Sequence, residues 1–455
     1  MPEFTPFDYV IEKALISSDR LVEPYSISDM IVQINIYESI DKLYLTGDLT
    51  FIDTYDIFNS VDFLGAEFID LEISIPSDDN KSFKRRFNIH SIGGAVKTND
   101  NTEVIGLNLI EDSYFQSETK TISKSYTNVP NIILENIIND GELDRTLDYD
   151  GDIFQKDFRI IVPYLTPMEA MFFIKDRLTD TNGMPYYLYS SFGDEKRLKL
   201  TNLSEILNDS NILINNNSPF IYTQAAAAKT RALSLEKQSR IISKYRVSRS
   251  EELIKFIKNG SIGADYQFIN LIKPSANTTY RFDINKQYNN IKNFGTIKPQ
   301  DAPLYDEEFM DGLHNVASTH TSQIYSNGIY TDPLVNNIFD SSNHHNKSIS
   351  KSMRQFITKS PMDFEIPGAL LMSNGKGSNC VGRTIPVRFL KNIQPDGHKD
   401  MDDSIDIKKS GEYLIYSARH TFSSERYDVG VTGVKLTNLE GTTRPRGKPR
   451  VDIGV

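Results

Sequence analysis

Seven histidines, one cysteine and a large stock of carboxylates are the groups in this chain that could do chemistry. His90, His314, His320, His344, His345, His398 and His420 form no HExxH pattern, and none stands at helical spacing from a matched acidic ligand. His344-His345 lies in SSNHHNKS, which reads as a solvated loop. Cys380 is the sole cysteine, so an intrachain disulfide and a multi-cysteine zinc site are both excluded, and no thiol-nucleophile signature flanks it. Gly375-Lys376-Gly377-Ser378 resembles a phosphate loop only in passing, because position 370 is Leu where the earlier glycine is required. GxSxG and GxGxxG do not occur. Asn277-Thr278-Thr279 matches a glycosylation pattern that matters only in a secreted chain. Among the carboxylates, Asp48, Asp70 and Glu72 fall at the polar positions of alternating runs, where a solvated or channel-facing role is expected rather than a general acid and base pair. These residues predict a protein that is not an enzyme and that carries no metal or cofactor.

The totals agree with an ordinary folded chain. At 455 residues it exceeds what one core sustains, so three or four structural units are expected. Hydrophobic residues make up 39%, charged ones 24% and aromatic ones 11%, which rules out the disordered and collagen-like classes. No apolar run approaches the roughly 20 residues of a membrane-crossing helix, and MPEFTPFDYVIEK has neither the basic nor the apolar region of a signal peptide. The sequence therefore predicts a soluble chain, not exported by a signal peptide and not inserted in a membrane. The formal net charge of -11 opposes stable binding of nucleic acid, although an acidic wall would let DNA slide past without sticking.

The elements that must position these groups are read from periodicity. Period-two alternation runs from Asp29 to Asp112. Leu43, Leu45, Gly47, Leu49 and Phe51 share one face, Ile69, Leu71, Ile73 and Ile75 another, and Phe83, Arg85, Phe87 and Ile89 a third. Five or so strands would make a small barrel or sandwich. From Ser125 to Ser218 helical segments alternate with short strands, which predicts an α+β unit. Pro130 to Asn139 reads as a helix. Thr166-Pro167-Met168-Glu169 is a capping box whose helix should reach Leu178 and close at Asn182-Gly183. The aromatic stripe of Phe172, Phe173, Tyr186, Tyr187 and Tyr189 reads as core. Ala225 to Ile257 reads as mostly helical, a strand follows at Tyr266 to Ile272, and Tyr288 to Ser350 reads as an insertion or interaction region with few periodic signals. Strands return at Met362, Tyr413 to Arg419 and Gly430 to Leu436, before an extended arm made basic by Arg444, Arg446, Lys448 and Arg450.

Four segments, in this order, resemble the baseplate hub proteins of contractile-tailed phages of the T-even-like class, which have relatives in type VI secretion spikes. The first runs from Leu43 to Phe51, then Asp53, a short turn of helix, and Gly65-Ala66-Glu67. The second joins Ser125-Tyr126, Ile132-Ile133 and Ile137 to Ile160-Ile161-Val162-Pro163 and the helix capped by Thr166-Pro167. The third is Leu253 to Asn270, with Asn259-Gly260. The fourth and most specific is Gly382-Arg383-Thr384-Ile385-Pro386-Val387, then Ser410-Gly411-Glu412-Tyr413-Leu414-Ile415, then Arg419-His420-Thr421-Phe422.

The resemblance implies a mainly β fold with α+β insertions, in which two tube-like antiparallel β-barrel domains stand beside smaller α/β domains. It places the first barrel at 1–118, an α+β domain at 119–224, a second, split barrel at 225–285 and 360–440, an insertion at 286–359 and a C-terminal arm at 441–455. It implies structural rather than catalytic roles for Gly47, Asp53, Gly65, Glu67, Pro163, Thr166, Pro167, Gly260, Gly382, Ser410, Gly411, Tyr413 and His420, with the His420 ring satisfying a nearby carbonyl or hydroxyl. It implies a homotrimer, in a virion tail baseplate assembled in the host cytoplasm. The implied partners are a central spike protein, a tail tube or tube-initiator protein and baseplate wedge proteins, with DNA passing transiently through the lumen. A peripheral baseplate or receptor-binding protein, or a tail-associated cell-wall hydrolase, is the alternative.

Overall fold

A computed structural model of the chain describes residues 5, 7–61, 63–75, 81–99, 102–149, 158–180, 183–206, 219–222, 238–247, 253–270, 278–284, 319–325, 342–358, 361–373, 380–390, 405–406, 409–423 and 426–437. The expected basic arm, Gly375 to Ser378, the alanine-rich start of the 225–257 segment and most of 285–341 lie outside these residues.

The N-terminal unit holds β1 (Val10–Ser17), β2 (Tyr25–Ser26), β3 (Ile31–Ser39), β4 (Thr46–Asp53), α1 (Ile57–Val61), β5 (Phe68–Ile75), β6 (Lys81–Asn99) and β7 (Thr102–Glu111). The alternation read from the sequence is what its sheet buries. Leu49 and Phe51 of β4, Ile69, Leu71, Ile73 and Ile75 of β5, and Phe83, Phe87 and Ile89 of β6 are all 5% exposed or less. Each apolar side chain fully removed from water contributes roughly 1.5–3 kcal/mol, so the phase of the alternation fixes which face turns inward. Opposite faces carry polar ladders: Asn35 donates to Asp48 Oδ2 at 2.7 Å, and Tyr37 donates to Asp48 Oδ1 at 2.7 Å.

The α+β unit follows as α2 (Asp112–Glu118), β8 (Ile122–Asn128), α3 (Pro130–Asp140), β9 (Thr146–Tyr149), β10 (Phe158–Leu165), α4 (Pro167–Lys175), β11 (Tyr186–Ser191), β12 (Asp194–Asn202) and α5 (Leu203–Ile206). Its own apolar cluster gathers Ile133, Leu134 and Ile137 of α3 with Met168, Met171 and Ile174 of α4. The helix after Thr166 stops at Lys175, short of the expected Leu178. Arg177 N–H bonds to Ile174 O (2.8 Å) and Leu178 N–H to Lys175 O (3.0 Å), so the last turn tightens and α-helical bonding ends. Tyr186, Tyr187 and Tyr189 are each 1% exposed and lie in the core.

The remainder comprises β13 (Phe220–Tyr222), β14 (Lys244–Val247), α6 (Leu253–Lys258), β15 (Gly263–Asn270), β16 (Thr278–Asp283), β17 (Thr319–Tyr325), α7 (Ser342–Ile357), β18 (Pro361–Pro367), α8 (Ala369–Ser373), β19 (Thr384–Phe389), β20 (Gly411–Ser423) and β21 (Arg426–Thr437). The stretch read as mostly helical from Ala225 to Ile257 thus contains β14, whose alternating, strand-favouring KYRV pairs with β18. Two described parts of the expected insertion are regular: β17 lies parallel to β15, and α7 carries His344 and His345. No helix among the described residues is long and apolar enough to cross a membrane.

The fold is mainly β with α insertions, and its largest sheet has 13 strands. It runs β14-β18-β21-β20-β3-β4-β7-β6-β5-β1-β2, with β13 and β19 joined beside β20. The N-terminal and C-terminal β units therefore form one continuous sheet. Their seam is the antiparallel ladder from Ser417↔Ser39 to Ser423↔Gln33.

Candidate functional site

At the seam between β3 and β20, two buried polar groups that the apolar pattern does not explain meet face to face. On β3, period two puts Glu38 on the same inward face as Ile34 and Ile36, and on β20 His420 faces inward between Ala418 and Phe422. Glu38 is 2% exposed and His420 is fully buried. His420 Nε2 lies 3.0 Å from Glu38 Oε1, and Nδ1 lies 2.8 Å from the Tyr427 hydroxyl. The other Glu38 oxygen accepts the Phe192 N–H at 2.7 Å. One of the ring's two partners is thus the expected hydroxyl, and the other is a carboxylate. Aromatic rings enclose the pair: Phe192 sits 4.9 Å from the imidazole centroid, and Phe422 stacks on Tyr427 at 4.3 Å and 7°. Cys380, also fully buried, adjoins the same carboxylate. Burial pushes its thiol well up, and the Glu38 charge pushes it further.

Other C-terminal residues singled out in the sequence lie at the opposite end of β20, where it pairs with β19. Gly382 has φ +79° and a Cβ there would collide with the Tyr189 hydroxyl, so glycine is required twice over. Its N–H bonds to Ile415 O at 2.9 Å. The buried Ser410 hydroxyl accepts the Phe389 N–H at 2.8 Å, and Gly411 opens β20 opposite Val387. The Tyr413 hydroxyl donates to Lys409 O at 2.6 Å.

The other residues lie elsewhere and act locally. Gly47 packs its Cα against β3, where a Cβ would stand 2.7 Å from Asn35 O. Asp53 accepts the Tyr55 and Phe58 N–H groups at 3.0 and 2.9 Å, which seats α1. Glu67, fully buried, accepts the Leu64 and Gly65 N–H groups at 3.1 and 2.9 Å and pairs with Arg20. Burial alone would raise its carboxyl, yet these donors hold it below the ordinary value. Pro163 stands exposed beside the irregular step between Val162 and Leu165, where Tyr164 has φ +51°. Thr166 and Glu169 form the capping box, with Thr166 N to Glu169 Oε2 at 3.1 Å and Glu169 N to Thr166 Oγ1 at 3.4 Å, and Pro167 fills the first turn. Gly260, φ +71°, ends α6.

Sequence reasoning missed Glu38 and Tyr427 as partners of His420, and Cys380 beside Glu38. The available signal was Glu38 itself, a charge in the inward phase of an apolar strand. A second buried charge group, Arg145 paired with Glu111 beside Arg85, ties the N-terminal unit to the α+β unit. Burial pushes the Arg85 guanidinium down to about 10, against the pull of Glu111.

Comparison with known proteins yields structural likeness at low identity. No family model matches the chain, and no curated protein matches it in sequence. The tail protein of Neisseria meningitidis MC58 is similar over 94% of this chain and 97% of its own, with a TM-score of 0.50 and 8% identity. The chain shares that tail-protein fold. The 43 kDa tail protein of prophage MuSo2 from Shewanella oneidensis aligns over 93% and 98% at TM-score 0.48 and 12% identity. An E. coli component of the type VI secretion system, described as structurally similar to T4 bacteriophage tail proteins, aligns over 94% and 79% at TM-score 0.40 and 7% identity. The neighbour at TM-score 0.50 is a tail protein, the class that the ordered motifs resemble.

Proposed function

We propose that this chain is a non-enzymatic baseplate hub of a contractile tail, whose copies close into a trimeric ring joining a six-fold tail tube to a three-fold central spike. The observation that carries this reading is the sheet of two β units with unlike open ends. At one end, among the described residues, β14 pairs only with β18. At the other, β2 pairs with β1 at two residues, which leaves the outer side of β1 before Leu15 without a strand among the described residues. Two different edges that complement each other join head to tail, and head-to-tail contacts close into a ring when the rotation permits. Two β units in each of three subunits supply six around the axis, the symmetry match that the hub resemblance implies. Residues 1–118 and the pair 225–285 and 360–440 are the segments assigned to those units. The net charge of -11 suits a lumen along which DNA passes without being held. The partners are the spike, the tube or tube initiator and the wedge proteins, and the site of action is the virion tail baseplate.

Co-expression with the cognate spike, followed by native mass measurement and electron microscopy of tails labelled at the C terminus, tests the proposal. A complex containing three copies and label on the tail axis is expected. Label at the periphery identifies a wedge or receptor-binding protein and overturns the reading. Clearing of a cell-wall zymogram by the purified chain overturns its non-enzymatic part.

A further inference from the structure

Among the described residues, Glu38, Cys380 and His420 are the group of carboxylate, thiol and imidazole whose ligand atoms all lie within 4.8 Å of one another. They come from three separate segments: β3, the turn before β19, and β20. We propose that they bind a zinc ion that pins the N-terminal β unit to the C-terminal one at the seam.

Donor chemistry favours zinc over harder cations. A thiolate and an imidazole are borderline-soft ligands of the kind that calcium and magnesium avoid. Zinc takes sulfur, nitrogen and carboxylate oxygen at about 2.0–2.3 Å, so tetrahedral donors stand roughly 3.3–3.7 Å apart. Nε2 and Oε1 are already 3.0 Å apart, and a small opening of the triad admits the ion. Water completes the coordination, as in zinc sites with three protein donors.

The surrounding groups are already placed as outer-shell partners. The second nitrogen of His420 faces the Tyr427 hydroxyl, and the second oxygen of Glu38 holds the Phe192 N–H. Such contacts fix the ring and the carboxylate in the orientation a metal needs. The proton balance closes as well. Zinc displaces the Cys380 thiol proton to solvent and takes the Nε2 lone pair of His420, while the ring proton that Nε2 shares with Glu38 in the metal-free site shifts to Nδ1, which then donates to the Tyr427 hydroxyl. One divalent cation, one thiolate and one carboxylate then sum to no charge, which removes the cost of isolated charge in an apolar surround.

The test uses the full chain, unfolded with chelator and refolded with zinc or cobalt(II), with metal measured by mass spectrometry. Close to one equivalent per chain is expected. The cobalt form should show a thiolate-to-cobalt charge-transfer band and tetrahedral visible bands, and Cys380→Ser should lose the charge-transfer band. A wild-type chain that refolds yet holds no metal above the buffer blank overturns the proposal. So does bound cobalt that lacks the thiolate band. Both readings come from the wild-type chain, so a variant that fails to fold does not rescue the idea. The assembly state is not part of the readout, and the hub reading stands or falls separately.

Discussion

Glu67 is a charge with no water around it, held by N–H groups of Leu64 and Gly65 and by Arg20. Because its folded carboxyl lies below the ordinary 4.5, it stabilises the fold above that pH, and the stabilisation is lost as pH falls through the depressed value. Glu67→Gln is expected to cost about 2 kcal/mol at neutral pH, as a hydrogen bond to a charged acceptor does. It should also flatten the acid limb of stability, measured as urea midpoints across a pH series. An unchanged acid limb would show that the carboxylate is not held as described. The resemblance singled out Gly65 and Glu67 together, and their contact is local, two residues apart. Glu38 was not singled out: its ring partner is 382 residues away, and only strand register brings them together. Alternation announces that position 38 points inward but cannot say what waits there.

Elements divide by the same rule of range. The capping box was readable letter by letter, and Thr166→Ala should lower stability by about 1 kcal/mol, seen as a fall in the thermal midpoint with the native spectrum retained. The end of that helix was not readable, because i→i−3 bonding at Arg177 and Leu178 replaces the α pattern without a glycine or proline to mark it. β14 escaped notice since four residues show too little alternation to stand out beside the helical pattern around them. At the Gly382 turn two effects coincide, a left-handed backbone and contact with Tyr189. Gly382→Ala is expected to cost roughly 1–3 kcal/mol in chemical denaturation. In a Tyr189→Phe background, part of that cost should vanish because the hydroxyl is gone. If the two changes add instead, Tyr189 is not the obstacle.

For the whole molecule, the alternation in both halves of the sequence announced strands, but their fusion into one sheet was not legible, since nothing local to residues 33–39 or 417–423 encodes who pairs with whom. The 13-stranded sheet leaves Val10 and Val247 near its opposite open edges, 47% and 44% exposed. Val10→Cys with Val247→Cys in one chain should give covalent rings with a short thiol-reactive linker, while either change alone should not. Cys380 does not compete because it is buried. Monomer bands only, from a chain that keeps its native spectrum, would place the contacts elsewhere. The seam also sets a clock on synthesis. β3 emerges early, whereas its neighbour β20 is made only near the end. At ~5–20 residues per second, the growing chain waits roughly 20–75 seconds with one side of β3 unpaired. During that interval the strand is open to any passing edge, including that of another nascent copy on the same message. A holdase, or a temporary occupant drawn from the chain itself, is what such a delay calls for.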